Sequence, residues 1–276
     1  MEYKLTNNST AKISDLLKRH MSGLPTLGMY VNREIEVGKY TFKRYKTHFE
    51  VGYFSTLSNY SRGVALLEDD KVWMTLSALE VESHYVPQHS AKGKVVIAGL
   101  GLGLITLSLL EKKAVKEIVV LEHDADLIEQ FDKLLDGKTL KLWQKNLTTG
   151  RVKIFKCDCL APLSNEILRA TRKANYLWVD IWATLFTEQA SKDTKRLYDQ
   201  IKPDVCDYWG HCFDLIIESG EKQSTLSPST LKSTAKNILG MNMTVNTLSG
   251  HALQLYTELA MRVLHNAHKK MSGNQS

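Results

Sequence analysis

Short apolar runs alternate with amphipathic segments between residues 94 and 220 of this chain. Four of the runs are predicted to be buried strands: Val95–Ala98, Ile118–Leu121, Val152–Phe155 and Tyr176–Val179. A later run, Phe213–Ile217, is a candidate fifth strand. The intervening segments with helical spacing are predicted to be helices: Leu104–Glu111, Ala125–Leu135 and Leu163–Arg172. Alternating strands and helices build a parallel sheet with right-handed crossovers. We therefore predict an α/β fold with a Rossmann-like sheet.

The segments on either side of this alternation have different patterns. A short amphipathic helix is predicted at Lys12–His20, and residues 29–79 are rich in β-branched and aromatic side chains, with a hairpin turn expected at residues 68–70. After a serine-rich stretch, helices are predicted at Leu231–Leu239 and His251–His268. The chain is accordingly divided into three parts: an N-terminal helix and small β unit (1–90), a Rossmann-like cofactor-binding domain (91–220) and a C-terminal helical extension (221–276).

A glycine turn, Gly99-x-Gly101-x-Gly103, directly follows the first predicted strand, and Glu122 ends the second. Such a turn lets the backbone approach a ligand closely, and an acid at the next strand end can accept hydrogen bonds from two ribose hydroxyls. Leu104 stands where the dinucleotide fingerprint has its third glycine, which argues against a pyrophosphate. A nucleoside-bearing cofactor is the first hypothesis, and a glycine turn without a ligand is the alternative.

Acidic residues follow three of the predicted strands: Glu122, Asp158 and Asp180. Because the carboxyl ends of parallel strands meet at one edge of the sheet, we expect these carboxylates to line one ligand site. Asp180 is the candidate catalytic residue, as a general base or a substrate-orienting acid, unless it only caps the following turn. Trp182 is expected either to stack on a ring of the ligand or to belong to the core.

The glycine spacing and the acid after the second strand resemble motif I of the class I S-adenosylmethionine-dependent methyltransferases. From about residue 60 to 185 the layout also resembles spermidine synthase, whose E-M-x-x-H element is similar to Glu80-x-x-x-His84. The resemblance implies that Gly99, Gly101 and Gly103 adjoin the methionine part of the cofactor, that Glu122 holds the ribose, and that Asp158 contacts the adenine amine. The Val-Asp-Ile-Trp segment at 179–182 resembles uncharacterised methyltransferase-like proteins of bacteriophages.

One departure from the spermidine synthase pattern concerns catalysis. That family reads D-S-S-D-P-x-G after the fourth strand, whereas Ala183 occupies the position of its second aspartate here. Three readings stay open: a methyltransferase with an unidentified acceptor, an aminopropyltransferase, and a non-catalytic binding protein that keeps the fold. We expect an S-adenosylmethionine-dependent transferase that uses this cofactor or its decarboxylated form, with Asp180 facing the reacting centre.

Composition narrows the classes of partner. The 276 residues carry a formal net charge of +6, which leaves a nucleic acid open as a partner although no base-reading motif is present. No apolar stretch approaches the roughly 18 residues of a membrane span, so no membrane partner is expected. Four cysteines in an ordinary composition suit a reducing cytoplasm, and their spacing is not that of a zinc site, so no metal is expected. Homo-oligomerisation stays open.

Overall fold

The computed structural model of the protein describes residues 24–46, 52–55, 62–185, 187–220 and 226–273. The predicted helix Lys12–His20 lies outside the described residues. The first part of the described chain is a four-stranded antiparallel sheet, which confirms the predicted N-terminal β unit. Its strands follow one another in order: β1 (Ile35–Val37), β2 (Tyr40–Lys46), β3 (Arg62–Glu68) and β4 (Lys71–Thr75). The β3–β4 turn lies where expected, with φ of 48° and 61° at Asp69 and Asp70, as tight hairpins require.

The second sheet contains five parallel strands: β5 (Gly93–Ala98), β6 (Val115–Glu122), β7 (Val152–Lys156), β8 (Tyr176–Val179) and β9 (Val205–Tyr208). Their spatial order is β7-β6-β5-β8-β9, and every pairing is parallel. This order confirms the predicted Rossmann-like α/β fold.

Helices connect and flank the strands. They are α1 (Ala78–Ser83), α2 (Tyr85–Ser90), α3 (Leu104–Leu109), α4 (Ala125–Gln130), α5 (Gly137–Thr148), α6 (Asn165–Thr171), α7 (Ala190–Ile201), α8 (His211–Glu218), α9 (Pro228–Ser233), α10 (Thr244–Thr247) and α11 (Gly250–Gly273). The predicted helix Ala125–Leu135 ends at Gln130 and continues as a 3-10 turn, and the predicted helix Leu231–Leu239 is α9 followed by a π-helical turn at Thr234–Ile238. Helices α1, α2, α5, α7 and α10 were not predicted from the sequence.

The possible strand at Phe213–Ile217 is wrong, because these residues lie in helix α8. The fifth strand is β9, eight residues earlier at its start, and it contains a cysteine and an aspartate rather than a continuous apolar run. Gly210, with φ of 90°, separates the two elements. A short apolar run has no periodicity that separates a buried strand from a buried helix, which is why the pattern misled.

Both faces of the parallel sheet are buried, as the continuous apolar runs indicated. Val96 and Ala98 of β5 contribute to the core on one face, and Val95 and Ile97 contribute to the core on the other. Phe42 of the N-terminal sheet packs in the second of these cores. The antiparallel sheet is therefore held against the parallel sheet near the loop that follows β5.

The position of the site follows from the strand order. Strand β5 pairs with β6 on one side and with β8 on the other, so the loops that leave β5 and β8 diverge at the carboxyl edge of the sheet. Ligands of open α/β sheets bind at such a switch point. Within the described residues, no helix is long and apolar enough to span a membrane.

Candidate functional site

A cavity of about 330 Å³ lies at the carboxyl ends of the parallel strands. We call it the strand-end cavity. Of the site residues predicted from the sequence, Gly99, Gly101, Glu122, Asp158 and Asp180 line it. Gly103, the remaining one, directly precedes helix α3 as its N-cap and does not line the cavity. The remaining wall is formed by residues of both sheets, α1, α3, α4 and nearby loops: Lys39, Tyr40, Trp73, Met74, Glu80, His84, Leu100, Leu104, Ile105, Leu121, His123, Asp124, Leu127, Cys157, Cys159, Leu160, Ile181, Trp182 and Trp209.

The three glycines of the turn are explained by contacts within the protein. All have positive φ, and a Cβ atom would overlap the carbonyl oxygen of Asp180 at Gly99, the thioether of Met74 at Gly101 and the ring of Phe131 at Gly103. Side chains rarely adopt such φ values, and these neighbours leave no room for one. The glycine turn is therefore required by packing, and the argument for a ligand depends on the carboxylates that surround the cavity.

Glu122 joins two of the loops that border the cavity. Its Oε2 accepts a hydrogen bond of 2.7 Å from the backbone N–H of Leu100, and its Oε1 accepts one of 2.8 Å from the N–H of Asp124. The residue is 8% exposed. Each carboxylate oxygen can accept two hydrogen bonds, so these contacts leave acceptor capacity for a ligand. The carboxylate thus has a structural role in addition to the ligand-binding role predicted for it.

Asp158 lies in the loop after β7. Its Oδ1 accepts a 2.9 Å hydrogen bond from the backbone N–H of Leu160, which closes a turn typical of aspartate. The preceding residue, Cys157, donates its backbone N–H to the carbonyl oxygen of Glu122 at 2.7 Å. The loops after β6 and β7 are therefore joined, and Asp158 and Glu122 lie on the same wall of the cavity.

Asp180 pairs with a histidine from the segment before β5. Its Oδ2 lies 3.2 Å from Nε2 of His84, and the His84 side chain is 1% exposed. His84 Nδ1 is 2.7 Å from the carbonyl oxygen of Glu80, which can only accept, so this nitrogen carries a proton. Nε2 faces the carboxylate, within ion-pair distance of Oδ2. The histidine thereby fixes the orientation of the Asp180 carboxylate.

A chain of buried hydrogen bonds leads to the Glu80 carbonyl oxygen that His84 Nδ1 contacts. Trp209 Nε1 donates to Ser83 Oγ at 2.9 Å, and Ser83 Oγ donates at 2.7 Å to the carbonyl oxygen of Glu80 that also binds His84. Trp209 lines the cavity, whereas Tyr208 and His211 of the same aromatic segment are buried in the core. Within residues 208–211, only Trp209 therefore borders the cavity.

Trp182 belongs to the cavity wall and is also anchored to the protein. Its Nε1 donates a 3.2 Å hydrogen bond to Oδ2 of Asp193 in α7, and Asp193 is 5% exposed. The ring is partly buried against the core and also borders the cavity. The indole is therefore held in one orientation at the surface that a ligand would contact.

The N-terminal sheet contributes residues that the sequence analysis did not identify. Lys39 Nζ lies 2.6 Å from Glu68 Oε1 and 3.9 Å from Asp124 Oδ2, and its hydrogen bond with Glu68 is the main reason that its pKa is raised. Met74 Sδ accepts a 3.1 Å hydrogen bond from the backbone N–H of Leu102. These contacts join residues distant in sequence, so no local motif could have identified them.

The cavity is acidic and rich in aromatic rings. Among its described lining residues, five are acids (Glu80, Glu122, Asp124, Asp158 and Asp180) and one is a lysine (Lys39). The aromatic rings are Tyr40, Trp73, Trp182 and Trp209. Carboxylates and aromatic faces both attract cations. The cavity is therefore suited to a positively charged ligand with hydroxyl or amine donors, and poorly suited to a pyrophosphate.

The four cysteines are free and buried. Cys157 and Cys159 line the cavity, whereas Cys206 and Cys212 are in the core. Among the described residues, no three His, Cys, Asp or Glu side chains are arranged to hold a metal ion.

No protein-family model matches the chain, and no curated protein matches it. Solved structures similar to it include the methyltransferase domain of bacterial CtHen1, at 15% identity with a TM-score of 0.34 over 46% of this chain and 60% of that chain. Spermidine synthase from Thermotoga maritima is 21% identical, with a TM-score of 0.35 over 62% and 54%. The glycopeptide N-methyltransferase MtfA, complexed with S-adenosylmethionine, is 15% identical, with a TM-score of 0.27 over 44% and 47%.

The chain spans about half to three fifths of the length of these solved structures. The class I methyltransferases and spermidine synthase that it was expected to resemble are both represented, whereas the expected link to bacteriophage proteins finds no support. A shared fold does not transfer a substrate from one protein to another. The functional argument therefore depends on the residues of the cavity.

Proposed function

We propose that the strand-end cavity binds S-adenosylmethionine or its decarboxylated form, and that the protein transfers a methyl group from it to an acceptor. One observation carries this proposal: Glu122, Asp158 and Asp180, which follow three different strands, border a single cavity with Gly99 and Gly101. The four free thiols and the predicted reducing cytoplasm are consistent with an intracellular transferase.

The donor set of the cavity matches the chemistry of such a cofactor. The remaining lone pairs of Glu122 would accept hydrogen bonds from ribose hydroxyls, and the second carboxylate oxygen of Asp158 would accept one from the adenine amine. The backbone of Gly99 and Gly101 would border the methionine part. The acidic and aromatic wall favours the positive sulfonium. When bound, the sulfonium supplies an activated methyl group with its own leaving group.

The chain itself would orient the acceptor and take up its proton. Asp180 borders the cavity, and His84 holds its Oδ2 at 3.2 Å, so that Oδ1 is left to meet an acceptor. A positioned carboxylate can accept a proton from the attacking group. Alignment of acceptor, carbon and leaving sulfur supplies much of such a rate enhancement. Ala183 replaces the second acid of the spermidine synthase pattern, so Asp180 would be the proton acceptor in this mechanism.

The variant Asp158→Asn tests the cofactor site with little disturbance of the loop. Asparagine keeps the oxygen that accepts the Leu160 N–H, but it replaces the other oxygen with an amide that donates. We expect calorimetric titration with S-adenosylmethionine to show binding that weakens at least tenfold in the variant, about 1.4 kcal/mol. Glu129→Gln, an exposed acid on α4, is the matched control and should bind like the wild type.

S-adenosylhomocysteine, the decarboxylated cofactor and NAD are titrated alongside. Binding of a sulfonium nucleoside but not of NAD supports the proposal. No binding to any of these ligands, binding of NAD alone, or equal affinity of wild type and Asp158→Asn would overturn it. Glu122→Ala is a less selective probe, because it also removes the acceptor of the Leu100 and Asp124 N–H groups.

Aminopropyl transfer is a second candidate, favoured by the two acids near the reacting centre, Glu80 and Asp180, which suit an amine acceptor. It predicts product from the decarboxylated cofactor and a diamine, and absence of product would eliminate it. Tight cofactor binding without turnover on any pool of acceptors, including nucleic acid, would favour the non-catalytic binding protein.

A further inference from the structure

We propose that Met74 covers the glycine turn and thereby determines which ligands the strand-end cavity accepts. The cavity would accept an adenosine that carries a thioether or sulfonium at its 5′ position, and it would reject one that carries a phosphate there. Met74 belongs to β4 of the antiparallel sheet, whereas the turn follows β5 of the parallel sheet. The first part, the cover over the turn, is independent of the proposed function, and the second part, the selectivity, rests on it.

The Met74 side chain contacts the turn at two points. Its Sδ accepts a 3.1 Å hydrogen bond from the backbone N–H of Leu102. The same sulfur atom occupies the space that a Cβ atom of Gly101 would need. Met74 and Gly101 both line the cavity. The thioether therefore forms the cavity wall directly over the glycine turn, in the place where a ligand would otherwise meet the backbone.

Other backbone donors of the turn are also engaged within the protein. The N–H groups of Gly99 and Gly103 donate to backbone carbonyl oxygens at 2.8 Å and 2.7 Å, and the N–H of Leu100 donates to the Glu122 carboxylate at 2.7 Å. Turns that bind phosphate do so through backbone N–H groups that point at the anion. Among these four donors, Leu102 has the weakest acceptor, because a thioether accepts hydrogen bonds poorly. Its N–H is therefore the donor that a substitution would most easily release.

A covered turn favours one kind of 5′ substituent. With the ribose on Glu122, as the proposed function requires, the 5′ substituent of an adenosine would adjoin Gly101 and Met74. A phosphate there would lose water without gaining a backbone donor, and the Glu122 carboxylate would repel it. A thioether or sulfonium needs no donor, and methionine sulfur is a soft, polarisable neighbour. The wall that Met74 forms is therefore compatible with sulfur at the 5′ position and unfavourable to phosphate.

Two ligands isolate the 5′ position, because 5′-methylthioadenosine and adenosine 5′-monophosphate share the base and the ribose. Calorimetric titration of each gives the ratio of their dissociation constants. We expect the wild type to bind the thioether at least about 100-fold more tightly than the phosphate. Met74→Ala removes the cover and releases the Leu102 N–H, so this ratio should fall at least about tenfold. A preference for the thioether should persist, because Glu122 still repels the phosphate.

Two further variants separate the cover from a general change in β4. Val72→Ala shortens a side chain of the same strand that is 58% exposed and does not line the cavity, so it should keep the wild-type ratio. Met74→Leu keeps an apolar side chain of similar volume and should keep the ratio within about threefold. Equal binding of both ligands by the wild type would overturn the selectivity. So would a ratio that Met74→Ala leaves unchanged, or that either further variant lowers as much as Met74→Ala does.

Hydrogen exchange tests the cover without any ligand. The Leu102 amide should exchange at least about tenfold faster in Met74→Ala than in the wild type, because it loses its acceptor. The Leu100 amide, which donates to Glu122, should exchange equally in both. Equal exchange of the Leu102 amide would overturn the first part. Failure of the wild type to bind either adenosine would overturn the proposed function and the selectivity, whereas the exchange of the Leu102 amide would still decide the first part, so the two failures are distinguishable.

Discussion

Two histidine–aspartate pairs lie near the buried ring of Trp178. In the open pair, His84 Nε2 is 3.2 Å from Asp180 Oδ2. In the enclosed pair, His211 Nε2 is 4.0 Å from Asp207 Oδ1. The two histidine rings are 5.5 Å and 6.2 Å from the Trp178 ring. Asp180 follows β8 and Asp207 lies in β9, so similar pairs occur at neighbouring strands of one sheet.

The two pairs differ in the hydrogen-bond acceptor capacity that each carboxylate retains. Asp207 is fully buried and accepts hydrogen bonds from the Tyr176 hydroxyl at 2.7 Å, from the Thr244 N–H at 3.0 Å, and from the Thr244 hydroxyl. The Asp180 side chain is 12% exposed and borders the cavity. The enclosed pair therefore ties β8, β9 and α10 together, and the open pair keeps acceptor capacity for a ligand. The same residue types stabilise the core in one place and border the cavity in the other.

The largest expected effect is on the enclosed pair. Asp207→Ala leaves the Tyr176 hydroxyl and the Thr244 N–H without their buried acceptor and His211 without its ion-pair partner. It should reduce the free energy of unfolding by about 3–5 kcal/mol. Urea unfolding measures it. Asp207→Asn keeps one oxygen, and the hydroxyls can rotate, so it should cost clearly less. Equal stability of Asp207→Ala and the wild type would contradict the structural role.

The next largest expected effect is that the free energy of unfolding depends on pH, because His211 titrates. Burial alone lowers the pKa of His211, but Cys212, Asp207 and the Tyr208 carbonyl together raise it to about 9 from 6.5. A raised folded-state pKa means that the stabilisation is fully present below pH 6.5 and is lost as the pH rises to about 9. The loss is at most about 3 kcal/mol.

Urea unfolding between pH 6.5 and 9 measures this slope. His211→Asn keeps the donor to the Tyr208 carbonyl but does not titrate, so it should flatten the decline. His251→Asn, at an exposed position, is the control and should behave like the wild type. Burial raises the pKa of Asp214 to about 6, so its titration falls below this window. An unchanged slope in His211→Asn would assign the pH dependence to other groups.

The smallest stability effect is expected at the open pair. In Asp180→Asn, the amide can present either its oxygen or its N–H to His84 Nε2, and the side chain borders a cavity. The free energy of unfolding should therefore change by less than about 1 kcal/mol. Turnover of the proposed transfer should fall by about 100-fold or more, because the proton acceptor is lost. A stability cost as large as that of Asp207→Ala would remove the distinction between the pairs.

The fold was largely predictable because its strands are buried on both faces. Tyr176–Val179 has the predicted bounds, and Val95–Ala98, Ile118–Leu121 and Val152–Phe155 are extended by one to four residues each. The fifth strand, Val205–Tyr208, was missed because it includes Asp207. Hydrogen bonds compensate for the burial of this polar side chain, so the strand has no continuous apolar run. Satisfied polar groups in a core cannot be recognised from a hydrophobic pattern.

The candidate site was predictable only in part. The sequence placed Glu122, Asp158 and Asp180 at one sheet edge, but it did not reveal that Glu122 also holds the Leu100 and Asp124 backbone. The glycine turn suggested a ligand, whereas the structure shows protein atoms against each glycine. Local patterns do not encode which atoms approach a residue from distant parts of the chain.

The sequence by itself determined the parallel sheet and the acids at its carboxyl edge, because strand periodicity and chain direction are local properties that fix where strand ends meet. Only the tertiary structure decided which histidine meets which aspartate, and that Lys39 and Met74 border the cavity. Those outcomes depend on packing between segments far apart in sequence. That packing leaves lone pairs of Asp180 available to a ligand and engages those of Asp207 within the core.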